Sequence, residues 1–159
     1  MSIHCNYKKK EEHDKNGFEI YISDLTRTSE AEGYTKAENK FFYQGKTDTA
    51  SITWKEYVSI AVPLLQNIYF RMSEYFATIL ELELTKGTVL ESRGIQQEGY
   101  FVLIGASMPV VLIECGFLSN VGDERYIKSQ RGQNDIAKAI YKSIILYKMD
   151  YDYMKTILR

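Results

Sequence analysis

Residues 109–120 read PVVLIECGFLSN, and they join a strand to a titratable side chain. The apolar run at 109–113 begins with a proline, which the first position of a strand tolerates, and it predicts a fully buried strand. The run ends at Glu114, and open α/β sheets place their sites at the carboxyl ends of strands. Burial raises the pKa of a carboxyl group and suits it to general-base work. From this stretch alone, Glu114 is either a catalytic base or the ion-pair partner of a neighbouring cation.

Length and composition favour a single domain with a substantial core. The chain has 159 residues, 45% of them hydrophobic, and a formal net charge of −1, so no nucleic-acid partner is expected. No apolar run is long enough to span a membrane, and the first residues lack the basic and apolar regions of a signal peptide. Two cysteines, Cys5 and Cys115, are too few for a disulfide framework.

The hydrophobic pattern predicts strands alternating with helices. Besides 109–113, strands are predicted for the residues that end near His4, for 18–23 and for 100–104. Helices are predicted for 29–42, for a short segment from 54, for about 63–87 after an interruption at Pro63, for 122–127 and for 133–147 with a continuation into the tail. A loop is predicted for 88–97.

Apolar residues recur at helical spacing between 54 and 86. They are Val58, Ala61, Leu65, Ile68, Met72, Phe76 and Ile79. Such a stripe usually packs into a core, and it also suits a helix that docks on a partner protein. The sequence pattern leaves both interpretations open.

Five segments follow one another in an order that resembles a known enzyme family. They are SIHCN at 2–6, GFEIY at 17–21, SRGI at 92–95, VLIECGFLSN at 111–120 and IAKAI at 136–140. Together they resemble the catalytic domain of zinc-dependent N-acetylmuramoyl-L-alanine amidases of the cell-wall hydrolase type. The resemblance covers most of the chain.

The resemblance implies an α/β fold, with a mixed, mostly parallel sheet flanked by helices in three layers, α/β/α. It implies that residues 1–159 form a partial amidase catalytic domain with an insertion at about 24–70. Family members carry a Gly-His-Gly-Gly-like segment after their first strand and a glutamate ligand on the next helix. Only three residues precede His4, so that strand and helix are expected to be absent from this sequence.

The same resemblance implies zinc chemistry. In the family, two histidines and one glutamate hold zinc, with water in the open position. His4 matches the last of these ligands, and one ligand of three does not hold catalytic zinc. Glu114 matches the catalytic acid, which takes a proton from the zinc-bound water and passes it to the leaving amine.

Three further residues are assigned by resemblance to substrate binding or to supporting the ligands. Arg93 either orients the substrate or the catalytic glutamate, or fastens its own loop. Asn6 and Asn120 are expected to hydrogen-bond turns and groups behind the ligands. Alternation along a strand directs Cys5 and Cys115 to the opposite face, as small buried residues.

The complete protein is therefore expected to be a bacterial peptidoglycan hydrolase, or autolysin, that acts in the periplasm or at the cell envelope. It would cleave the amide bond between N-acetylmuramic acid and the L-alanine of the stem peptide, with an activator protein left unspecified. This chain alone is expected to bind zinc poorly and to be inactive. Two alternatives stay open: an inactive remnant or module that binds the wall without cleaving it, and an interaction protein that docks through the helix at 63–86.

Overall fold

The computed structural model describes residues 1–9, 14–23, 54–103, 106 and 108–157. Within these residues the strands are β1 (Ser2–Asn6), β2 (Phe18–Ser23), β3 (Ser92–Glu98) and β4 (Leu112–Phe117). The helices are α1 (Trp54–Gly87), α2 (Val121–Lys128) and α3 (Gln130–Ile157), and a short 3-10 helix covers Phe101–Leu103. The helix predicted for 29–42 lies outside the described residues, as does most of the predicted insertion.

The four strands form one mixed sheet in the order β1-β4-β2-β3. β1 runs parallel to β4, β3 runs parallel to β2, and β2 and β4 are antiparallel to each other. Two of the three neighbouring pairs are therefore parallel. Together with the helices that pack on this sheet, the arrangement confirms the predicted α/β fold with a mixed, mostly parallel sheet.

One apolar core joins a face of the sheet to the helices. The sheet contributes Phe18, Ile20, Ile22, Val111, Ile113 and Cys115, and the helices contribute chiefly Phe70, Phe76, Ala77, Leu80, Leu84, Ile136, Ala139 and Ile140. Fully burying a large apolar side chain contributes about 1.5–3 kcal/mol, so this face of the sheet carries most of the stability. On the other face, Tyr21 and Leu112, at alternate positions of their strands, form a smaller cluster with Leu103 of the 3-10 helix.

α1 and α3 pack against each other above this core. The rings of Phe76 and Tyr147 have centroids 4.9 Å apart. Lys142 Nζ lies 2.9 Å from Glu83 Oε2, and Glu83 is only 6% exposed. This pair is a buried acid with a cation partner, remote in the fold from the face that carries Tyr21.

A glycine and a buried aspartate fasten one end of the sheet. Gly17 has a φ of +94°, and a Cβ there would lie 2.2 Å from the carbonyl oxygen of Glu91, so only glycine fits. The backbone nitrogens of Gly17 and Phe117 both donate to Asp123 Oδ2, at 2.8 and 3.0 Å. The Asp123 carboxylate therefore ties the start of β2 to the end of β4.

Three strand predictions are corrected. The strand predicted for 109–113 lies later, at Leu112–Phe117, so Glu114 is inside β4 and not at its end, and residues 109–111 precede the strand. The loop predicted for 88–97 is strand over Ser92–Glu98, whose polar sequence SRGIQQE has no apolar alternation because β3 is an outer strand of the described sheet. The strand predicted for 100–104 is instead the 3-10 helix at Phe101–Leu103, whose Leu103 packs in the cluster with Tyr21.

The helix predictions are corrected in two respects. α1 is one continuous helix through Pro63, since the φ of proline suits a helix and a long helix can lose one backbone hydrogen bond. In the predicted apolar stripe, Phe76 is core but Ile68 is 45% exposed. The residues of α1 that face the core are instead Phe70, Phe76, Ala77, Leu80 and Leu84, while the side chains of Val58, Ala61 and Leu65 lie outside the description.

The described part of α1 thus uses its main apolar face inside the protein, which favours core packing over docking. α2 matches the helix predicted for 122–127, and α3 extends past the predicted 133–147 into the tail. In the described ranges, no helix has both the length and the apolar character that a membrane span requires.

Candidate active site

Three side chains form a row across the sheet. His4 of β1 is the register partner of Glu114 of β4, and Glu114 is in turn the register partner of Glu19 of β2. Partners on neighbouring strands point to the same face, with Cβ atoms about 4.5–5.5 Å apart in an antiparallel pair. The sheet therefore places His4 beside Glu114 and adds Glu19, to which the sequence analysis gives no role.

Glu114, at the centre of this row, is partly buried. Its Oε2 is buried and has no hydrogen-bond partner among the described residues. Burial raises the pKa of the Glu114 carboxyl; the charge of His4 offsets part of this rise, Glu19 adds to it, and Lys8 offsets it again. A carboxylate with a raised pKa holds a proton more strongly, which is the property that a general base needs.

His4 is exposed on β1, an outer strand of the described sheet. Its Nε2 lies 2.9 Å from the hydroxyl oxygen of Ser2, the residue two positions earlier on the same strand. The imidazole is therefore accessible from solvent as well as adjacent to Glu114. Such a position suits a ligand that meets a metal or a substrate from outside the sheet.

Glu19 is buried, with 7% of its surface exposed. Its Oε2 accepts hydrogen bonds from Asn6 Nδ2 and from the Tyr21 hydroxyl, both at 2.8 Å. Burying a carboxylate costs several kcal/mol of stability unless hydrogen bonds replace those to water. The two donors lower this cost for Glu19. The signal in the sequence is the single acid within FEIYIS, where every neighbour is apolar, aromatic or Ser.

Two tyrosines lie beside Glu19. The rings of Tyr21 and Tyr100 meet edge to face with centroids 5.1 Å apart. Burial, together with the hydrogen bond to Glu19, raises the pKa of the Tyr21 phenol. Burial also raises the pKa of Tyr100, which a hydrogen bond to Tyr21 partly offsets. Both phenols therefore keep their protons at neutral pH and can donate to acids.

The side-chain amides of Asn6 and Asn120 both form hydrogen bonds within the protein. Asn6 binds Glu19 through Nδ2, and its Oδ1 accepts from the backbone nitrogen of Tyr7 at 2.8 Å. Asn120 caps α2, because its Oδ1 accepts from the backbone nitrogens of Gly122 and Asp123 at 3.0 and 3.2 Å.

Arg93 lies on β3 and not in a loop, and its guanidinium contacts Asn16, in the segment before β2. Its Nη2 lies 3.1 Å from Asn16 Oδ1, and its Nε donates to the Asn16 carbonyl. The guanidinium carbon also lies 5.8 Å from the centroid of the Phe117 ring. A role for Arg93 in orienting substrate stays a prediction.

The two cysteines differ in environment. Cys115 packs in the core, as predicted, and its burial raises the pKa of the thiol to about 12. Cys5 is exposed, against the prediction that it is buried, because β1 is an outer strand and leaves that residue open to solvent. Both thiols are free, and both line an apolar groove between β1 and α3.

A catalytic zinc site needs three protein ligands. In the part of the chain that the structure describes, no three His, Cys, Asp or Glu side chains lie close enough together to hold a metal ion. His4 is exposed and accessible, but Glu19 already binds Asn6 and Tyr21. The described residues by themselves therefore do not fit a zinc ion.

Comparison with known proteins finds amidases among the similar sequences and among the similar folds. LytH of Staphylococcus aureus, a probable cell wall amidase, is 26% identical over 129 residues, which cover 81% of this chain and 40% of that protein. The amidase AmiC2 of Nostoc punctiforme shares the fold with a TM-score of 0.61 and 20% identity, over 93% of this chain and 56% of its own. An N-acetylmuramoyl-L-alanine amidase from Clostridium difficile 630 gives a TM-score of 0.60 and 20% identity, over 92% of this chain and 55% of that one.

This chain thus spans about half the length of these relatives or less. A family model described as N-acetylmuramoyl-L-alanine amidase matches residues 1–145. That match includes all four described strands and the row of His4, Glu114 and Glu19. The chain belongs to the N-acetylmuramoyl-L-alanine amidase family.

Proposed function

We propose that this chain forms part of the catalytic domain of a zinc-dependent peptidoglycan amidase. The bond cleaved joins the lactyl group of N-acetylmuramic acid to the L-alanine of the stem peptide. The observation that supports this proposal most strongly is the register pairing of His4 with Glu114 on neighbouring parallel strands, in a chain of the amidase family. The name of its staphylococcal relative, a cell wall amidase, supports action at the cell envelope.

Glu114 is the general base in this proposal. It removes a proton from the water whose oxygen attacks the amide carbonyl carbon, and it returns that proton to the alanine nitrogen as the carbon–nitrogen bond breaks. The products are a lactyl carboxylic acid and a free amine, and the acid's proton passes to the amine to give a carboxylate and an ammonium group. The raised pKa of Glu114 supports both halves of this transfer, because a more basic carboxylate accepts the proton more readily and still releases it.

His4 is one zinc ligand in this proposal, and the other ligands come from polypeptide beyond the described residues. Arg93, Asn6 and Asn120 support the loops around the site. An activator protein also stays a prediction. Zinc, when bound, supplies a Lewis acid and a more acidic water.

Zinc content and amide cleavage in the complete protein test this assignment together. We expect His4→Ala to lose both bound zinc and the release of stem peptides from purified peptidoglycan, because a catalytic site has few ligands to spare. The matched control is His13→Ala, which changes the other histidine of the sequence. Full zinc content in His4→Ala would remove His4 from the ligand set.

A wall-binding module without hydrolysis is the second candidate. It is favoured by the observation that the described residues hold no cluster of three metal-binding side chains. Sedimentation of the 159-residue chain with insoluble peptidoglycan, with and without EDTA, separates the two. Binding that is unaffected by EDTA and releases no peptides supports the module, whereas peptide release that EDTA abolishes supports the enzyme.

A further inference from the structure

We propose that Glu19 is a positioning residue for the His4–Glu114 site, which holds the end of β1 in place through Asn6. The inference rests on the proposed function, because that proposal makes His4 and Glu114 parts of a catalytic site. The hydrogen bonds and strand positions that support it all lie within this chain. Glu19 touches no substrate in this proposal and acts through the residues that it holds.

The bond between Glu19 and Asn6 spans three strands. Asn6 ends β1, Glu19 lies on β2, and β4 lies between these strands in the sheet. Nδ2 of Asn6 nevertheless reaches Glu19 Oε2 at 2.8 Å. The side chains therefore cross β4 on the face where Glu114 is the register partner of Glu19. One hydrogen bond thus links both neighbours of the strand that carries Glu114.

Asn6 is the point through which this bond affects β1. The register of β1 with β4 is irregular between His4 and Asn6, so the regular ladder does not by itself fix the strand end. Instead, the Asn6 carbonyl accepts from the backbone nitrogen of Leu118 at 2.8 Å, and its Oδ1 accepts from that of Tyr7. Holding Nδ2 on Glu19 orients the amide so that its oxygen faces Tyr7. Glu19 therefore adds a side-chain hydrogen bond to a strand end, two residues beyond His4, whose backbone carbonyl is held by Leu118.

The chemistry of the bond explains why an acid stands at this buried position. Glu19 is 7% exposed, and its described partners are an amide and a phenol, both of which donate to one oxygen. Glu83 is a useful contrast, since it is equally buried at 6% but pairs with Lys142 on the helical side of the core. Hydrogen bonds to a charged acceptor contribute about 1.5–3 kcal/mol, more than neutral ones, so an ionised acid holds Asn6 more firmly than a neutral group does.

Nuclear magnetic resonance of the 159-residue chain without metal tests the proposal, so the result does not depend on amidase activity. We expect Glu19→Gln to shift the His4 imidazole and Asn6 side-chain amide resonances. It should also speed exchange of the Leu118 amide hydrogen by roughly 10-fold or more, the size of one lost charge-assisted bond. Glu83→Gln, which changes an acid of equal burial, should leave His4 and Leu118 unchanged once exchange is compared at equal stability.

An exchanged pair guards against a variant that simply fails to fold. Asn6→Asp places a second carboxylate against Glu19 and should disturb His4, whereas the double variant Asn6→Asp with Glu19→Gln restores a donor–acceptor pair and should return the His4 signals. In the complete amidase, Glu19→Gln should lower kcat by roughly 10- to 100-fold with KM nearly unchanged, as expected when a reacting group is misplaced. His4 and Leu118 signals that are unaffected by Glu19→Gln and by Asn6→Asp would overturn the positioning role, even if the amidase proposal holds.

Discussion

The six residues of β2 are divided between the two faces of the sheet, and the two faces have different roles. Phe18, Ile20 and Ile22 point into the apolar core and are at most 1% exposed. Glu19 and Tyr21 alternate with them and point to the face that carries Glu114. Because side chains of a strand alternate with a period of two, one short segment supplies both the packing and the polar row. Residues that stabilise this sheet and residues that could take part in its chemistry therefore alternate along one strand.

The largest effect is expected on the core face. Ile20→Ala removes a side chain that is completely buried, and it should lower the free energy of unfolding by about 2–5 kcal/mol, through lost transfer energy and a cavity. Leu82→Ala is the control, since Leu82 is 50% exposed on α1 and should change stability by about 0.5 kcal/mol or less. Urea unfolding monitored by circular dichroism measures both. Equal losses in the two variants would contradict a stabilising role for this face.

On the polar face the effect should fall on activity instead. Glu114→Gln keeps the shape and removes the base, and in the complete protein it should cut amide hydrolysis by roughly 10²-fold or more. Bound zinc should be nearly unchanged, because Glu114 is proposed as a base and not as a ligand. Release of stem peptides and metal analysis measure the two properties. Full activity would make Glu114 a structural residue, and loss of zinc would make it a ligand.

A third acid, Asp123, is also buried, but its role is structural. Asp123→Ala removes the acceptor of the Gly17 and Phe117 backbone nitrogens and should lower the free energy of unfolding by about 1.5–3 kcal/mol. Asp152→Ala is the exposed control and should have little effect, since its carboxylate pairs with Lys148 at the surface. Thermal or urea unfolding compares them. If Asp123→Ala is as stable as the control, the aspartate does not fasten the sheet.

The smallest expected effect is a difference in reactivity between the two cysteine thiols, which involves no change in stability. The raised pKa of Cys115, about 12, keeps it as a buried thiol at pH 8, and the thiolate is the reactive form. Burial also raises the pKa of Cys5, which remains exposed on β1. A disulfide reagent at pH 8 should therefore modify one thiol per native chain and two in denaturant. Modification of both at similar rates in the native chain would contradict the assignment of Cys115 to the core.

The sequence was sufficient where apolar residues follow a clear period. The run at 109–113 led to β4, and the alternation at 18–23 led to β2, because both strands cross the core. β3 was missed because SRGIQQE carries almost no apolar residues at an outer position of the described sheet. A periodic pattern of apolar residues indicates burial, and a strand that is held mainly by backbone hydrogen bonds shows little of this pattern.

The site could be predicted only in part, and through resemblance. His4 and Glu114 stand in the segments SIHCN and VLIECGFLSN, and they come close together because β1 and β4 are neighbouring strands. Glu19 was missed because an acid at a strand position is normally read as solvent-facing, and its donors Asn6 and Tyr21 are visible only in three dimensions. Asp123 stands in the first turn of the helix predicted for 122–127, and the burial of its carboxylate against the Gly17 and Phe117 backbone nitrogens is visible only in the structure.

The pairing of β1 with β4 also determines the order in which the site assembles. Residues 7–111, about two-thirds of the chain, separate the two strands in sequence, and contacts between such distant segments form late because the loop between them must close first. β1 has five residues, three of them exposed, so within the described sheet it is the element least protected against local opening. We therefore expect His4 to be the last part of the site to form during folding and the first to open. The fraction of chains in which His4 is in place would then depend on local opening of β1, while the core stays folded.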